Sequence, residues 1–217
     1  HLAGSLARFW YIRGDLREGR RFLERALNVP GAGARTAQRA RALHGISTLT
    51  FRLADYGLAR QQVEEALSIR VEQGGLVGVG DSTLMLANTL FGQGDYSAAE
   101  STYERARALA DSVGNLNNKA LILGNLASIN YSRGDYAIAK RRYREALDLW
   151  RGLGNQFQSA WALQNLGFLS VNTAEFEEGR AFLEEALESF RELGERRGIA
   201  WTLSKLGNIA NDTGDNV

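Results

Sequence analysis

The 217-residue chain carries 26 Lys and Arg against 25 Asp and Glu, is 44% hydrophobic, and contains no cysteine and one proline. The lack of cysteine excludes disulfides, thiolate metal sites and cysteine nucleophiles, and fits a cytoplasmic protein. No apolar run reaches the ~18 residues a membrane span requires, and near-avoidance of proline describes a chain that is almost all helix.

In chain order, apolar residues recur at three- and four-residue spacing and predict eleven amphipathic helices, over about 1–13, 15–28, 34–53, 55–72, 76–93, 95–113, 115–133, 135–153, 155–173, 175–193 and 195–213. The steps between them are periodic. Gly14-Asp15, Ala54-Asp55-Tyr56, Gly94-Asp95-Tyr96, Gly134-Asp135-Tyr136, Ala174-Glu175-Phe176 and Gly214-Asp215 fall on a 40-residue grid. Glycine at such a step accepts the left-handed conformation that ends one helix, and aspartate caps the next.

A fixed period of this length means stacked supersecondary units. The column Leu6, Ile46, Leu86, Leu126, Leu166 and Leu206 is always large and aliphatic. The next column, Ala7, Ser47, Ala87, Ala127, Gly167 and Gly207, is always small. Leu16, Tyr56, Tyr96, Tyr136 and Phe176 follow, then Gly19, Ala59, Ala99, Ala139 and Gly179, then Leu23, Val63, Tyr103, Tyr143 and Leu183. Ala26, Ala66, Ala106, Ala146 and Ala186 close each unit. Small residues let helix axes approach while large ones fill the holes. The expectation is an all-α stack of antiparallel helix pairs in one array, with repeats at about 1–33, 34–73, 74–113, 114–153 and 154–193 and a half repeat at 194–217.

Two stretches leave the grid. Asn28-Val29-Pro30-Gly31-Ala32-Gly33 ends the second helix early. Gly74-Gly75-Leu76-Val77-Gly78-Val79-Gly80 predicts a weak start, or a hinge, at the fifth helix. This glycine-rich run lacks the lysine, the Ser/Thr and the preceding strand of a phosphate loop.

Leu126-Ala127, Gly134-Asp135-Tyr136, Ala139, Tyr143 and Ala146 resemble the tetratricopeptide repeat, whose usual period is 34 residues and whose closing proline is absent here. Without that proline the second helix of the pair runs on through Leu149, Trp150 and Leu153, and the six extra residues add roughly 9 Å of helix per repeat. The resemblance implies a right-handed α-solenoid with the first helix of each pair on a concave face. The run from Arg8 to Leu27 further resembles the segment that follows the nucleotide-binding module in bacterial signal-transduction ATPases of the STAND type. Lysine appears only at 119, 140 and 205 among the 26 basic residues, and this arginine bias points to a GC-rich bacterial source.

The grid, combined with that resemblance, puts Arg41, His44, Thr48, Arg52, Met85 and Asn88 on the concave face. Leu121, Asn125, Ser128, Trp161, Asn165, Phe168, Asn172, Trp201, Lys205 and Asn208 continue it. Asn125 and Asn165 suit a peptide backbone, since an amide side chain both donates and accepts. Trp161, Phe168 and Trp201 offer large apolar area of the kind that dominates interfaces. Equally, Trp161 and Trp201 can pack between neighbouring helices.

Residues 1–60 carry 11 basic against 4 acidic side chains, while the remainder carries 15 against 21. A basic end can meet nucleic acid or an acidic partner; solvated faces or a neighbouring domain account for it more simply. The pairs Glu64-Glu65, Glu177-Glu178 and Glu184-Glu185 diverge around their helices and are not paired catalytic carboxylates. His1 and His44 are the two histidines, and neither sits in a nucleophile or metal-ligand motif, so no catalytic residue, metal or cofactor is expected.

The last predicted helix presents Ile199, Leu203, Leu206 and Ile209 as an apolar stripe, whereas a stack normally closes on a polar face. The chain also starts without Met inside a repeat. It is therefore expected to be part of a longer protein and open to self-association at this helix. The leading functional expectation is a module binding a protein or peptide, or other domains of its own chain, as the sensor arm of a bacterial signalling ATPase or regulator. A free-standing scaffold joining two proteins is the alternative, with nucleic-acid binding a third.

Overall fold

The computed structural model describes residues 2–29, 31 and 33–213. His1, Pro30, Ala32 and the final Gly214-Asp215 step of the grid lie outside them. The described residues form eleven α-helices and no strand: α1 (Leu2–Arg13), α2 (Leu16–Leu27), α3 (Ala37–Arg52), α4 (Tyr56–Gln73), α5 (Leu76–Gly92), α6 (Tyr96–Ser112), α7 (Leu116–Arg133), α8 (Tyr136–Gly152), α9 (Gln156–Asn172), α10 (Phe176–Leu193) and α11 (Arg196–Thr213).

The boundaries follow from the punctuation. Gly14, Gly94 and Gly134 adopt φ of 84°, 80° and 85° between paired helices, while Ala54 and Ala174 occupy the same turn at 61° and 60°. Capping is selective. Asp55, Asp95 and Asn155 accept hydrogen bonds from the amides of Leu58, Ala98 and Gln158. Asp15 and Asp135, expected to do the same, make no such bond, and the Asp15 carboxylate lies instead 3.3 Å from Arg13 Nε. The third helix begins three residues later than expected because Thr36 Oγ1 accepts from Arg39 N and starts it there.

The chain forms two compact units, residues 1–115 and 116–217. In the first, α3 packs on α1, α2, α4 and α5, and α5 packs on α4 and α6. Leu23, Ile46 and Leu49 are fully enclosed there with Trp10 and Leu16 against them, and Leu43, Ala66 and Ile69 form a second cluster. In the second unit α7 packs on α8, α8 on α9, α9 on α10, and α11 on both α10 and α9. Its core is continuous, with Leu123, Tyr143, Trp150, Leu163, Leu166 and Phe190 interlocked.

The small columns do what the pattern requires of them. A Cβ on Gly167 would stand 2.6 Å from Leu183 Cγ and 3.1 Å from the Gly179 carbonyl oxygen, so α9 and α10 touch backbone to backbone. The expected weakness at 74–80 does not interrupt α5, which runs unbroken from Leu76. The helical glycines there are contact positions: Arg70 lies over Gly78 and the Leu109 side chain over Gly80. The acidic pairs also find partners. Glu64 and Glu65 meet Arg60 and Arg39, Glu178 meets Lys140 and Arg144, and Glu185 meets Arg151.

Candidate functional site

In the second unit α7 and α9 expose the same face to one space. Leu121, Gly124, Asn125 and Ser128 recur at i, i+3, i+4 and i+7 on α7, and Gln158, Trp161, Ala162 and Asn165 do so on α9. That spacing aligns side chains along one stripe of a helix. α8 closes the floor with Tyr143, Ala146 and Trp150, leaving a cavity of about 110 Å³. Five expected residues, Leu121, Asn125, Ser128, Trp161 and Asn165, thus meet there.

The polar floor is fixed. Ser128 Oγ lies 2.8 Å from the Tyr143 hydroxyl and donates to the Gly124 carbonyl at 3.1 Å. Burial pushes the Tyr143 phenol above its usual range, against the opposing pull of the Ser128 hydrogen bond, so it stays protonated near neutral pH. Trp161 stacks edge-on against Phe157 and Phe190, at 6.2 and 5.2 Å between centroids, which holds its indole at the wall. Asn165 makes no hydrogen bond to protein among the described residues.

Phe168, Trp201 and Lys205 gather elsewhere in the same unit. Phe168 stacks on Tyr131 and Trp201, and the Lys205 ammonium sits 4.7 and 5.1 Å from the Phe168 and Trp201 ring centroids. Asn172 donates to the Tyr131 hydroxyl at 2.8 Å. Asn208 is exposed on α11.

In the first unit the expected residues separate. Asn88 accepts from the Tyr103 hydroxyl at 2.7 Å, and Arg52 caps the Tyr11 ring while donating to its hydroxyl. Met85 is buried and accepts weakly from Thr48. His44 is largely enclosed, its Nδ1 3.4 Å from Ser82 Oγ. Burial, reinforced by the Arg70 charge and only partly offset by Asp81, lowers its pKa to about 4, so it is neutral at pH 7. Arg41 is exposed and lines a cavity of about 420 Å³ with Arg70, Gln73 and Asp81.

Sequence reasoning missed Arg70, Gln73, Asp81, Tyr143 and Trp150. The hydroxyls of Tyr103 and Tyr143, 40 residues apart and each beside a polar residue of the facing helix, were the available signal for one of them. No group of three or more His, Asp or Glu side chains among the described residues is arranged to hold a metal ion, and no helix among them is long and apolar enough to cross a membrane.

Residues 80–152 match the family model of the tetratricopeptide repeat. A signal-transduction ATPase of the STAND type with a tetratricopeptide repeat sensor, from Pyrococcus horikoshii, superposes with a TM-score of 0.80 at 13% identity over 94% of this chain and 31% of that one. BtubC from P. vanneervenii gives 0.74 at 21% identity over 93% and 83%. The Rap conjugation gene regulator of plasmid pLS20, solved with the Phr* peptide, gives 0.75 at 16% identity over 90% and 54%. At these identities the likeness is one of fold, and the chain spans under a third of the ATPase. A search of curated protein sequences returns no match.

Proposed function

For a chain whose residues 80–152 match the tetratricopeptide repeat model, we propose a binding role: the second unit takes an extended protein or peptide segment, held by the amides of Asn125 and Asn165 and packed against Trp161. The observation that carries this reading is the convergence of these three side chains on one cavity. An amide side chain satisfies both the N–H and the C=O of a peptide unit. Asn125 and Asn165 stand at equivalent positions of successive repeats, so together they fit a repeating backbone. Trp161 supplies the buried aromatic area that anchors such segments.

Within a larger chain this module serves as the sensor arm of a signalling ATPase or regulator, not as the site of a reaction. Two likenesses support that finer reading: one related fold is the repeat sensor of a STAND ATPase, and another was solved with a peptide bound. Binding would act by favouring one of two arrangements of the larger protein, by as much as the ligand prefers it. Peptides selected from a displayed library test the site. The expected result is saturable shifts of the Asn125 and Asn165 side-chain amide resonances; selected peptides that bind and leave both unmoved would place recognition elsewhere.

A further inference from the structure

The first unit contains a second cavity, of about 420 Å³, between α3, α4 and the start of α5. Two guanidinium groups line it, Arg41 from α3 and Arg70 from the end of α4, with one carboxylate, Asp81 of α5. Neither arginine forms an ion pair among the described residues. Arg70 is held on one side only: its Nη1 donates to the Gly78 carbonyl at 2.6 Å and to Ser82 Oγ at 2.9 Å, while Nε and Nη2 have no partner among those residues.

We propose that this cavity binds a carboxylate-bearing ligand, seated between the guanidiniums of Arg41 and Arg70. Two cations against one fixed anion leave one positive charge in excess, which a single carboxylate neutralises. Planar guanidiniums match a carboxylate through two parallel N–H bonds. Arg70 is half-buried beside a like charge, and an unpaired charge in that position is costly to keep. A ligand anion relieves this. Burial pulls the Arg70 guanidinium below its usual range; Asp81 opposes this, and the neighbouring Arg41 adds a smaller push in the same direction as burial.

The backbone adds to the cradle. Gly75, Val77 and Gly78 line the same space, and Gly75 begins α5 without a side-chain cap. The first amides of that helix are left for another acceptor. Asp81 restricts the occupant, because a more highly charged anion would meet its repulsion.

The site is independent of the peptide cavity in the second unit, and it can be tested on the whole chain. Butyrate, a monocarboxylate, is titrated against amide resonances, with butyramide as the uncharged control and inorganic phosphate as the competing anion. Butyrate should saturate shifts at Leu76, Val77 and Gly78 that butyramide does not produce, more tightly than phosphate does. Arg41→Gln, at an exposed position without structural bonds, should weaken butyrate at least tenfold with the spectrum otherwise folded. Equal response to butyramide, tighter binding of phosphate, or undiminished affinity in Arg41→Gln would each overturn the proposal.

Discussion

The Tyr143 hydroxyl lies 2.8 Å from Ser128 Oγ, and one repeat earlier the Tyr103 hydroxyl donates to Asn88 Oδ1 at 2.7 Å. Both bonds join the second helix of a pair to the first across fifteen residues, at positions 40 apart. In the next repeat the same positions hold Phe168 and Leu183, whose side chains have no polar atom to make such a bond. The polar tether therefore ends where the Phe168, Trp201 and Lys205 cluster begins.

Tyr143→Phe removes the tether and keeps the ring. It should lower stability by about 1 kcal/mol, the net worth of an ordinary hydrogen bond. Tyr103→Phe should cost about as much, because it removes the same kind of bond at the half-buried Asn88. Urea unfolding of each variant measures both; no loss in either would mean the bonds are matched by water.

Gly167→Ala should destabilise despite the better helix propensity of alanine. The added methyl would lie 2.6 Å from Leu183 Cγ and 3.1 Å from the Gly179 oxygen, and backbone cannot step aside as a side-chain tip can. Overpacking of this kind costs about 1–3 kcal/mol. A melting temperature equal to that of the parent would show that α9 and α10 are not in close contact.

Ala174→Gly should have the opposite sign. Ala174 holds φ at 60°, where a Cβ is strained and three equivalent turns use glycine. Relief of that strain is worth about 1 kcal/mol, against a smaller loss from the more flexible unfolded chain. Ala54→Gly, with φ of 61°, is the internal duplicate, and thermal unfolding of both should show a gain.

His44 sets a pH dependence. Its folded pKa of about 4 lies below the unfolded value of 6.5, so between the two the unfolded chain binds more protons. Stability is full above the unfolded value, falls as pH drops toward the folded one, and loses about 3 kcal/mol at most. The groups facing the ring are Arg70 and Ser82, with Asp81 near, and only Asp81 favours protonation. Glu72 and Glu175, held below the usual carboxylate range by Arg35 and Lys140, act at lower pH. Unfolding measured from pH 7 to 5 should therefore flatten in His44→Gln, and an unchanged slope would assign the effect to another group.

Much of the fold was legible because its punctuation is local. The Gly-Asp steps fixed most helix ends to within a residue, and the small columns announced the contact seen at Gly167 and Gly179. The convergence of Asn125, Ser128, Trp161 and Asn165 on one cavity was legible for the same reason: two helices with one face pattern, 40 residues apart. The Tyr143 floor was harder to read, since its column mixes Leu, Val and Tyr and so looks like packing alone. The Arg70 cavity was hidden more deeply. Its residues come from a helix end and from a glycine-rich run that reads as weakness, although Gly78 there makes room for an arginine.

The central claim concerns the Asn165 amide, and the affinity of one library-selected peptide for the parent chain and for Asn165→Ala tests it most directly. The account predicts a loss of about 1–3 kcal/mol, with helicity and unfolding midpoint unchanged. An identical affinity in the folded variant would contradict it.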